Sequence, residues 1–175
     1  KLYRSEHAHA RIINVNTDLA RHAEGVMAVF SAKDFSTPVP LFGPVTEDQP
    51  LLAEGEVKFH GEPVAVVLAN TAEAAQNALD GIHAEYEVLP AICTVEAALA
   101  DNAPQLHAGE NGLSCNRNIH SSYSYQWGSV EESRASCAHI IHNTYTFPMI
   151  HHAMIEPYCV IAYPQRGGVV IESPV

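Results

Sequence analysis

Apolar positions change their period twice along residues 57–90, which read VKFHGEPVAVVLANTAEAAQNALDGIHAEYEVLP. Pro63–Ala69 is almost wholly apolar and rich in valine, the pattern of a strand covered on both faces. Asn70 is the predicted N-cap of the helix that follows, and Glu73 is placed to reach back as the other half of a capping box. Ala74, Ala75, Ala78, Leu79 and Ile82 then recur at helical spacing and make one apolar face of small residues. Gly81 stands where that helix is expected to stop. Across His83–Val88 the period drops to two. Ala84, Tyr86 and Val88 fall on one side, and His83, Glu85 and Glu87 on the other. The stretch predicts a β-α-β unit whose alanine-rich helix can lie close to a sheet. It has no GxGxxG at the strand–helix junction, so it is not read as a nucleotide site.

The flanking segments are shorter. Residues 8–15 predict a strand of imperfect alternation, residues 17–23 a short helix closed by Gly25, and residues 26–30 a more buried strand. Ser31 and Asp34 flank a turn or a single helical turn. Residues 36–50 carry Pro38, Pro40, Pro44 and Pro50 and predict an irregular loop, since proline removes donors from helix and ladder alike. Thr94 is placed to cap a short helix over residues 95–100, and the polar residues 101–118 are the expected linker. Beyond them the pattern predicts a weak strand at 119–127 and a helix opened by Ser129 and Glu132 that runs to about Ala138. Strands are predicted at 140–147, 158–163 and 169–172, with Gly167 and Gly168 suited to a tight hairpin. The expected fold class is α+β (mixed α/β), with a domain over 1–100, a linker over 101–118 and an incomplete α/β segment over 119–175.

The wording of these segments resembles the α/β hammerhead domain of the xanthine dehydrogenase and aldehyde oxidase family, the molybdenum hydroxylases. VKFHGEPVAVVLANT followed by AEYEVLPAI is similar to the family run V-x-F-x-G-x-P-V-A-x-V-x-A, a helix, then Y-E-x-L-P. RSEHAHARI, the DLA helix and GVMAVFSAKD are similar to R-S-x-x-A-H-A-R-I, a short helix and G-V-x-A-V-x-T-x-x-D. More loosely, WGSVEES resembles G-D-V-x-x-A, with Ser129 where an aspartate is common. HHAMIEPYCVIAY resembles H-x-x-M-E-P-x-x-x-x-A, with Ile155 as an extra residue between Met154 and Glu156. In the family this last segment begins the molybdopterin-binding region.

The resemblance implies a parent enzyme that hydroxylates a carbon of a purine, another N-heterocycle or an aldehyde, with water as the oxygen source. It implies molybdopterin in that parent, and [2Fe–2S] clusters and FAD on partner domains or subunits. It places the glycine-rich cofactor loops and the catalytic glutamate outside this chain. No residue here is therefore assigned a catalytic or metal-binding role, and cofactor-binding residues are left unassigned. The chain is expected to be an inactive scaffold that packs on the remainder of the molybdenum-binding subunit in the cytoplasm. Substrate, electron acceptor and direction of reaction stay open, since family members that reduce aromatic thioesters share the domain.

Charge and composition narrow the alternatives. With a formal net charge of −11 over 175 residues, the chain lacks the basic footprint that nucleic acid requires. No apolar run reaches the length of a membrane-spanning helix, and residues 1–11 are too polar for a signal peptide. The chain opens without methionine and stops within the strand-like VVIESPV, which reads as a piece of a longer polypeptide. Cys93, Cys115, Cys137 and Cys159 are evenly spaced, but their flanking residues share nothing. No CxxC pair exists, so a thiolate metal or iron–sulfur site is not expected, and the thiols are expected to be reduced.

Each remaining candidate has a plainer reading. His7 and His9, two apart on a strand, face the same way and are placed to share an ion. His139 with His142, and His151 with His152, are the other close sets, and none has a further ligand at recognisable spacing. Structural or surface histidines are favoured over a native metal site. His152 and Glu156 are read as a polar pair shaping a pocket wall in preference to an acid/base pair. Ser121, Ser122 and Ser124 sit in no nucleophile elbow. Trp127, Tyr123 and Tyr125 read as packing residues, and Glu85 and Glu87 as an exposed acidic strand face. Two other function classes remain beside the enzyme scaffold: a stand-alone α/β protein-interaction module and a histidine-based metal-binding domain.

Overall fold

The computed structural model describes residues 1–43, 47–106, 118–119 and 122–173. The chain divides into two compact units, Lys1–Ser124 and Tyr125–Val175. The first unit opens with strands β1 (Leu2–Arg4) and β2 (Ala10–Asn16), helix α1 (Asp18–Arg21) and strand β3 (Val26–Ser31). A 3-10 turn at Ala32–Asp34 and the short strands β4 (Leu41–Phe42), β5 (Gln49–Pro50) and β6 (Glu56–Val57) follow. The central stretch supplies β7 (Pro63–Ala69), α2 (Ala72–Asn77), a 3-10 turn at Ala78–Gly81 and β8 (His83–Val88). Helix α3 (Val95–Leu99) comes after it.

Strand, helix and strand follow one another as the sequence predicts, but they do not form a β-α-β unit within one sheet. β7 lies at the centre of a sheet ordered β1-β7-β3, and β8 at the edge of another ordered β6-β2-β8. Every pairing in both sheets is antiparallel. Residues 70–82 join the two strands through six helical residues and one 3-10 turn, and hand the chain from the middle of one sheet to the edge of the other. The N-cap of α2 is Thr71 and not Asn70; its hydroxyl accepts from Ala74 N at 3.0 Å. Asn70 instead ends the strand, its amide donating to the Gly25 carbonyl at 2.9 Å.

Two buried clusters follow from this arrangement. Ala65 and Val67 of β7 pack with Val29 of β3, Ala20 of α1, Ala75, Ala78 and Ile82. Val64, on the other face of β7, packs with Ala10, Ala53 and Val57 under the second sheet. Full burial of each valine contributes about 1.5–3 kcal/mol. The small residues are a geometric requirement. A Cβ on Gly81 would lie 2.8 Å from the backbone nitrogen of Ala20, so α1 approaches the end of the α2 segment only because that position is glycine.

The imperfect alternation of β2 has a definite cause. The register with β8 shifts between Ile12 and Asn14, so Ile13 is a bulged residue and faces out. Inward positions then run Ile12 and Val15 against Tyr86 and Ala84, with Ala10 buried and its partner Val88 exposed at the end of β8. Met27 plays the same part in β3 and is likewise exposed.

In the second unit, α4 (Val130–Ser136) is capped by Ser129, whose hydroxyl accepts from Glu132 N at 3.4 Å. Strands β9 (Ile161–Gln165) and β10 (Gly168–Glu172) form an antiparallel hairpin. The strands expected at 119–127 and 140–147 do not form over their described residues. Their alternation is there, but no neighbouring strand supplies a ladder for it. Among residues 122–173 Val170 alone is half-buried, and Trp127, Phe147 and Ile155 are among the outward apolar side chains. Residues 107–117 of the expected linker lie outside the described residues, as does Ser121.

Candidate functional site

The most specific cluster of polar side chains gathers where the second sheet meets its outgoing chain. His9 precedes β2 and is 6% exposed. Its Nδ1 lies 2.7 Å from the Pro90 carbonyl oxygen, and its Nε2 meets the carboxylate of Glu56 on β6. Each ring nitrogen thus faces an oxygen, one from the outgoing chain and one from β6. Leu89 N donates to the His9 carbonyl at 3.0 Å. One residue therefore ties β6, β2 and the chain leaving β8 into a clasp. Beside it, Arg11 pairs with Glu87, and the strand register sets Glu56 across from Arg11 on its other side.

The FHGEP loop forms a second anchor. Glu62 is 1% exposed and accepts from Lys58 N at 2.5 Å through Oε2. Its carbonyl accepts from Ser5 N at 3.0 Å, and Gly61 N donates to the Ser5 carbonyl at 2.8 Å. Arg4 Nη1 donates to the Gly61 carbonyl at 2.7 Å. Gly61 has φ +87, which a residue with a Cβ adopts only with strain. These contacts fasten the loop before β7 to the chain after β1. Sequence reasoning passed over both Glu56 and Glu62. A charged residue wedged between a glycine and a proline at the mouth of an apolar strand was the available signal for Glu62.

Tyr3, Tyr86, Ser5, Glu6 and His7 form a third group. Burial raises the Tyr86 phenol to about 12, helped by the neighbouring Tyr3 and Glu6. Its Oη is buried and meets no hydrogen-bond partner among the described residues. The nearby Ser5 hydroxyl, which donates to the His7 carbonyl at 3.2 Å, opposes part of the rise. Burial, then the Glu6 charge, raises Tyr3 as well. His7 meets the Tyr86 ring edge-on, centroids 5.0 Å apart. At the far side of β3, burial acts to raise Asp34, but its bonds from Ser31 and Arg21 outweigh this and hold it below the usual carboxylate range. Ser31 N and Oγ both donate to Asp34 Oδ2, at 2.7 and 2.9 Å, a capping box around the 3-10 turn.

His7 and His9 thus do not share an ion: one packs on a ring and the other is held by Pro90 and Glu56. Among the described residues no group of three or more His, Cys, Asp or Glu side chains could hold a metal. His139, His142, His152 and Glu156 are exposed, and His151 Nδ1 accepts from Ala153 N at 2.9 Å. Ser122 and Ser124 are exposed hydroxyls. Tyr125 stacks on Trp127 with centroids 6.2 Å apart, both rings open to solvent, so they pack on each other and not in a core. Glu87 engages Arg11 and Glu85 stands across from Asn14, the exposed strand face expected of them. No helix among the described residues is long and apolar enough to cross a membrane.

Molybdopterin, a phosphate-bearing cofactor, does not fit two clefts of the first unit that the described residues line. The cleft at the start of α2 is lined by Glu24, Glu73, Asn70 and Asn77, and its carboxylates repel a phosphate. The cleft between Ile12, Val15, Lys33, Glu54 and Val64 is chiefly aliphatic. Its one ammonium, on Lys33, donates to Asn14 Oδ1 at 3.0 Å.

Comparison with known proteins agrees with this architecture. The nicotinate dehydrogenase large molybdopterin subunit of Eubacterium barkeri is 33% identical over 172 residues, 97% of this chain and 38% of that protein. A probable xanthine dehydrogenase subunit of Bacillus subtilis (strain 168) is 36% identical over 168 residues, 96% of this chain and 22% of that protein. Among solved structures, the aldehyde oxidoreductase from Desulfovibrio gigas is similar with a TM-score of 0.57 and 27% identity, covering 62% of this chain and 13% of that one. The chain therefore spans well under half the length of the curated relatives it matches. Residues 1–90 match the family model described as "Aldehyde oxidase and xanthine dehydrogenase, a/b hammerhead domain", and the chain belongs to that family.

Proposed function

We propose that this chain is the hammerhead scaffold, with the first elements of the molybdopterin-binding region, of a molybdenum-binding subunit. Residues 1–100 form the hammerhead domain, 101–118 the linker and 119–175 the start of the cofactor-bearing domain. The whole protein hydroxylates a purine, another N-heterocycle or an aldehyde, taking oxygen from water. Molybdopterin supplies the redox centre there, and iron–sulfur and FAD domains or subunits carry the electrons away in the cytoplasm. This chain's own residues position and do not react: His9, Glu56 and Glu62 fix the loops around the two sheets, and no catalytic residue is assigned among them.

The observation that carries the reading is the match over residues 1–90, together with relatives named as molybdopterin and xanthine dehydrogenase subunits that align along nearly the whole chain. The test is to purify the full gene product with its partner subunits, measure molybdenum, and follow oxygen transfer from isotopically labelled water into nicotinate, xanthine and an aldehyde. Molybdenum near one atom per subunit and label in one of these products is the expected result, with neither for residues 1–175 alone. A complete gene product that holds no molybdenum overturns the proposal.

A further inference from the structure

We infer that the outer edge of β10 is a docking edge for one further strand, supplied by the part of the molybdenum-binding subunit outside this chain. The inference rests on the function proposed above for its occupant, and on the hairpin for its geometry.

The turn of the hairpin has two residues, Arg166 and Gly167, with Gly167 at φ +91. Gln165 and Gly168 therefore close the ladder as a hydrogen-bonded pair. Antiparallel pairs alternate between bonded and non-bonded. Tyr163 with Val170, and Ile161 with Glu172, are then the other bonded pairs. Ala162 with Ile171, and Pro164 with Val169, are the non-bonded ones, and their backbone groups point away from the hairpin on its two outer edges. On the β9 edge the donor at Pro164 is missing. The proline is tolerated there because the β9–β10 ladder asks nothing of its nitrogen. The β10 edge keeps both donors, at Val169 and Ile171. The two edges are thus chemically unequal: one is blocked at its middle and one is complete.

The side chains agree with the backbone. Val169 and Ile171 are 66% and 67% exposed and share a face with Ala162 and Pro164, so that face carries no charge. A two-stranded hairpin is marginal in water, and a third strand is what makes such a sheet stable. A second copy of this chain is disfavoured as the occupant, because each copy brings a net charge of −11 and a Glu172 at the end of the docking strand. A strand of the same polypeptide is favoured. The 172 matched residues make up only 38% of the nicotinate dehydrogenase subunit, which leaves most of such a subunit to pack on what is described here. The occupant is accordingly an extended segment with alternating apolar residues, added by β-augmentation.

The experiment is residue-resolved amide hydrogen exchange on the complete molybdenum-binding subunit, with molybdenum content and hydroxylation measured on the same sample. The expected result is exchange at Val169 and Ile171 slowed by ~100-fold or more relative to an unprotected amide, with Ala162 left fast. Val170, whose amide already points into the hairpin, is the internal reference. Ile171→Pro is expected to lower the yield of assembled subunit by ~10-fold, and Ala162→Pro to leave it within about twofold. Fast exchange at Val169 and Ile171 in an active subunit with Val170 protected overturns the inference and leaves the functional reading standing. Protection that disappears on dilution together with a dimer also overturns it, since the occupant is then a second copy. A subunit without molybdenum or activity sinks the functional reading, while the amide pattern still decides whether the β10 edge is covered.

Discussion

Val29 and Ile155 are both aliphatic, and the chain treats them oppositely. Val29 has no exposed surface, because β7, α1 and the turn after α2 close around it. Ile155 is fully exposed, and most apolar side chains among residues 122–173 are exposed in some degree. Apolar side chains are plentiful in both regions. What separates them is the supply of partners. Lys1–Ser124 contains two three-stranded sheets and the short helices that cover one of them, so its apolar faces meet within about ninety residues. The described part of Tyr125–Val175 contains one short, mostly polar capped helix and one hairpin, and no third strand to extend that hairpin. Hydrophobic pattern identifies the side chains that gain from burial, and topology decides whether the same chain can bury them.

The largest expected effect breaks the first region. Val29→Asp puts a carboxylate at a site without solvent or a cation and costs about 4 kcal/mol or more. Urea unfolding of the chain reads the loss directly. Ile155→Asp in the same chain should shift stability by no more than about 0.5 kcal/mol. It should instead impair assembly of the complete subunit. If Ile155→Asp unfolds the isolated chain as Val29→Asp does, the contrast between the regions is wrong.

The clasp comes next. His9→Ala removes two part-buried hydrogen bonds, to the Pro90 carbonyl and to the Glu56 carboxylate, at a cost of about 1–2 kcal/mol. Hydrogen exchange at Leu89, whose amide bonds the His9 carbonyl, should quicken more than exchange at Val67 in the central strand. Equal quickening at both positions would make His9 an ordinary core residue with no special hold on the chain leaving β8.

The clasp also marks the limit of what the sequence could say. The side of β8 that carries Ala84 and Tyr86, the helix α3 capped by Thr94, the turn held by Ser31 and Asp34, and the closing hairpin were all legible, because each rests on residues close in the chain. The partner of His9 was not, because Glu56 is forty-seven residues away and becomes its neighbour only through the pairing of β6 with β2. The same holds for the separation of β7 and β8 into two sheets, which depends on which strand each pairs with and not on its own pattern. Asn70 and Thr71 differ by a single position, and either has an oxygen to offer; the extended backbone at Thr71 decided the cap. Motif resemblance reached further than periodicity because a family's wording carries the outcome of long-range contacts that no local rule contains.

One substitution made in both regions sharpens the comparison at smaller scale. Gly81→Ala brings a Cβ to 2.8 Å from the Ala20 backbone and should cost about 1–3 kcal/mol as α1 is pushed away. Gly168→Ala meets nothing within 4 Å and should change stability by less than about 0.5 kcal/mol in the chain alone. Thermal unfolding of the two variants tests whether close packing is confined to the first region.

Tyr86→Phe should have the smallest effect at neutral pH and the most informative pH dependence. Because Tyr86 Oη is buried without a partner among the described residues, removing it deletes no hydrogen bond there, and the variant should be as stable as the parent or slightly more so at pH 7. The parent behaves differently in alkali. Its phenol is raised to about 12 in the folded chain, while an unfolded tyrosine ionises near 10. The folded state therefore keeps a proton that the unfolded state has lost. Stability from this group is whole below pH 10 and drains away as the pH rises from 10 towards 12. Tyr86→Phe has no such proton, so its unfolding midpoint should overtake that of the parent across this window while the two coincide at pH 7. A parallel fall of both proteins with pH would assign the alkaline loss to other groups and would place the Tyr86 hydroxyl in contact with water.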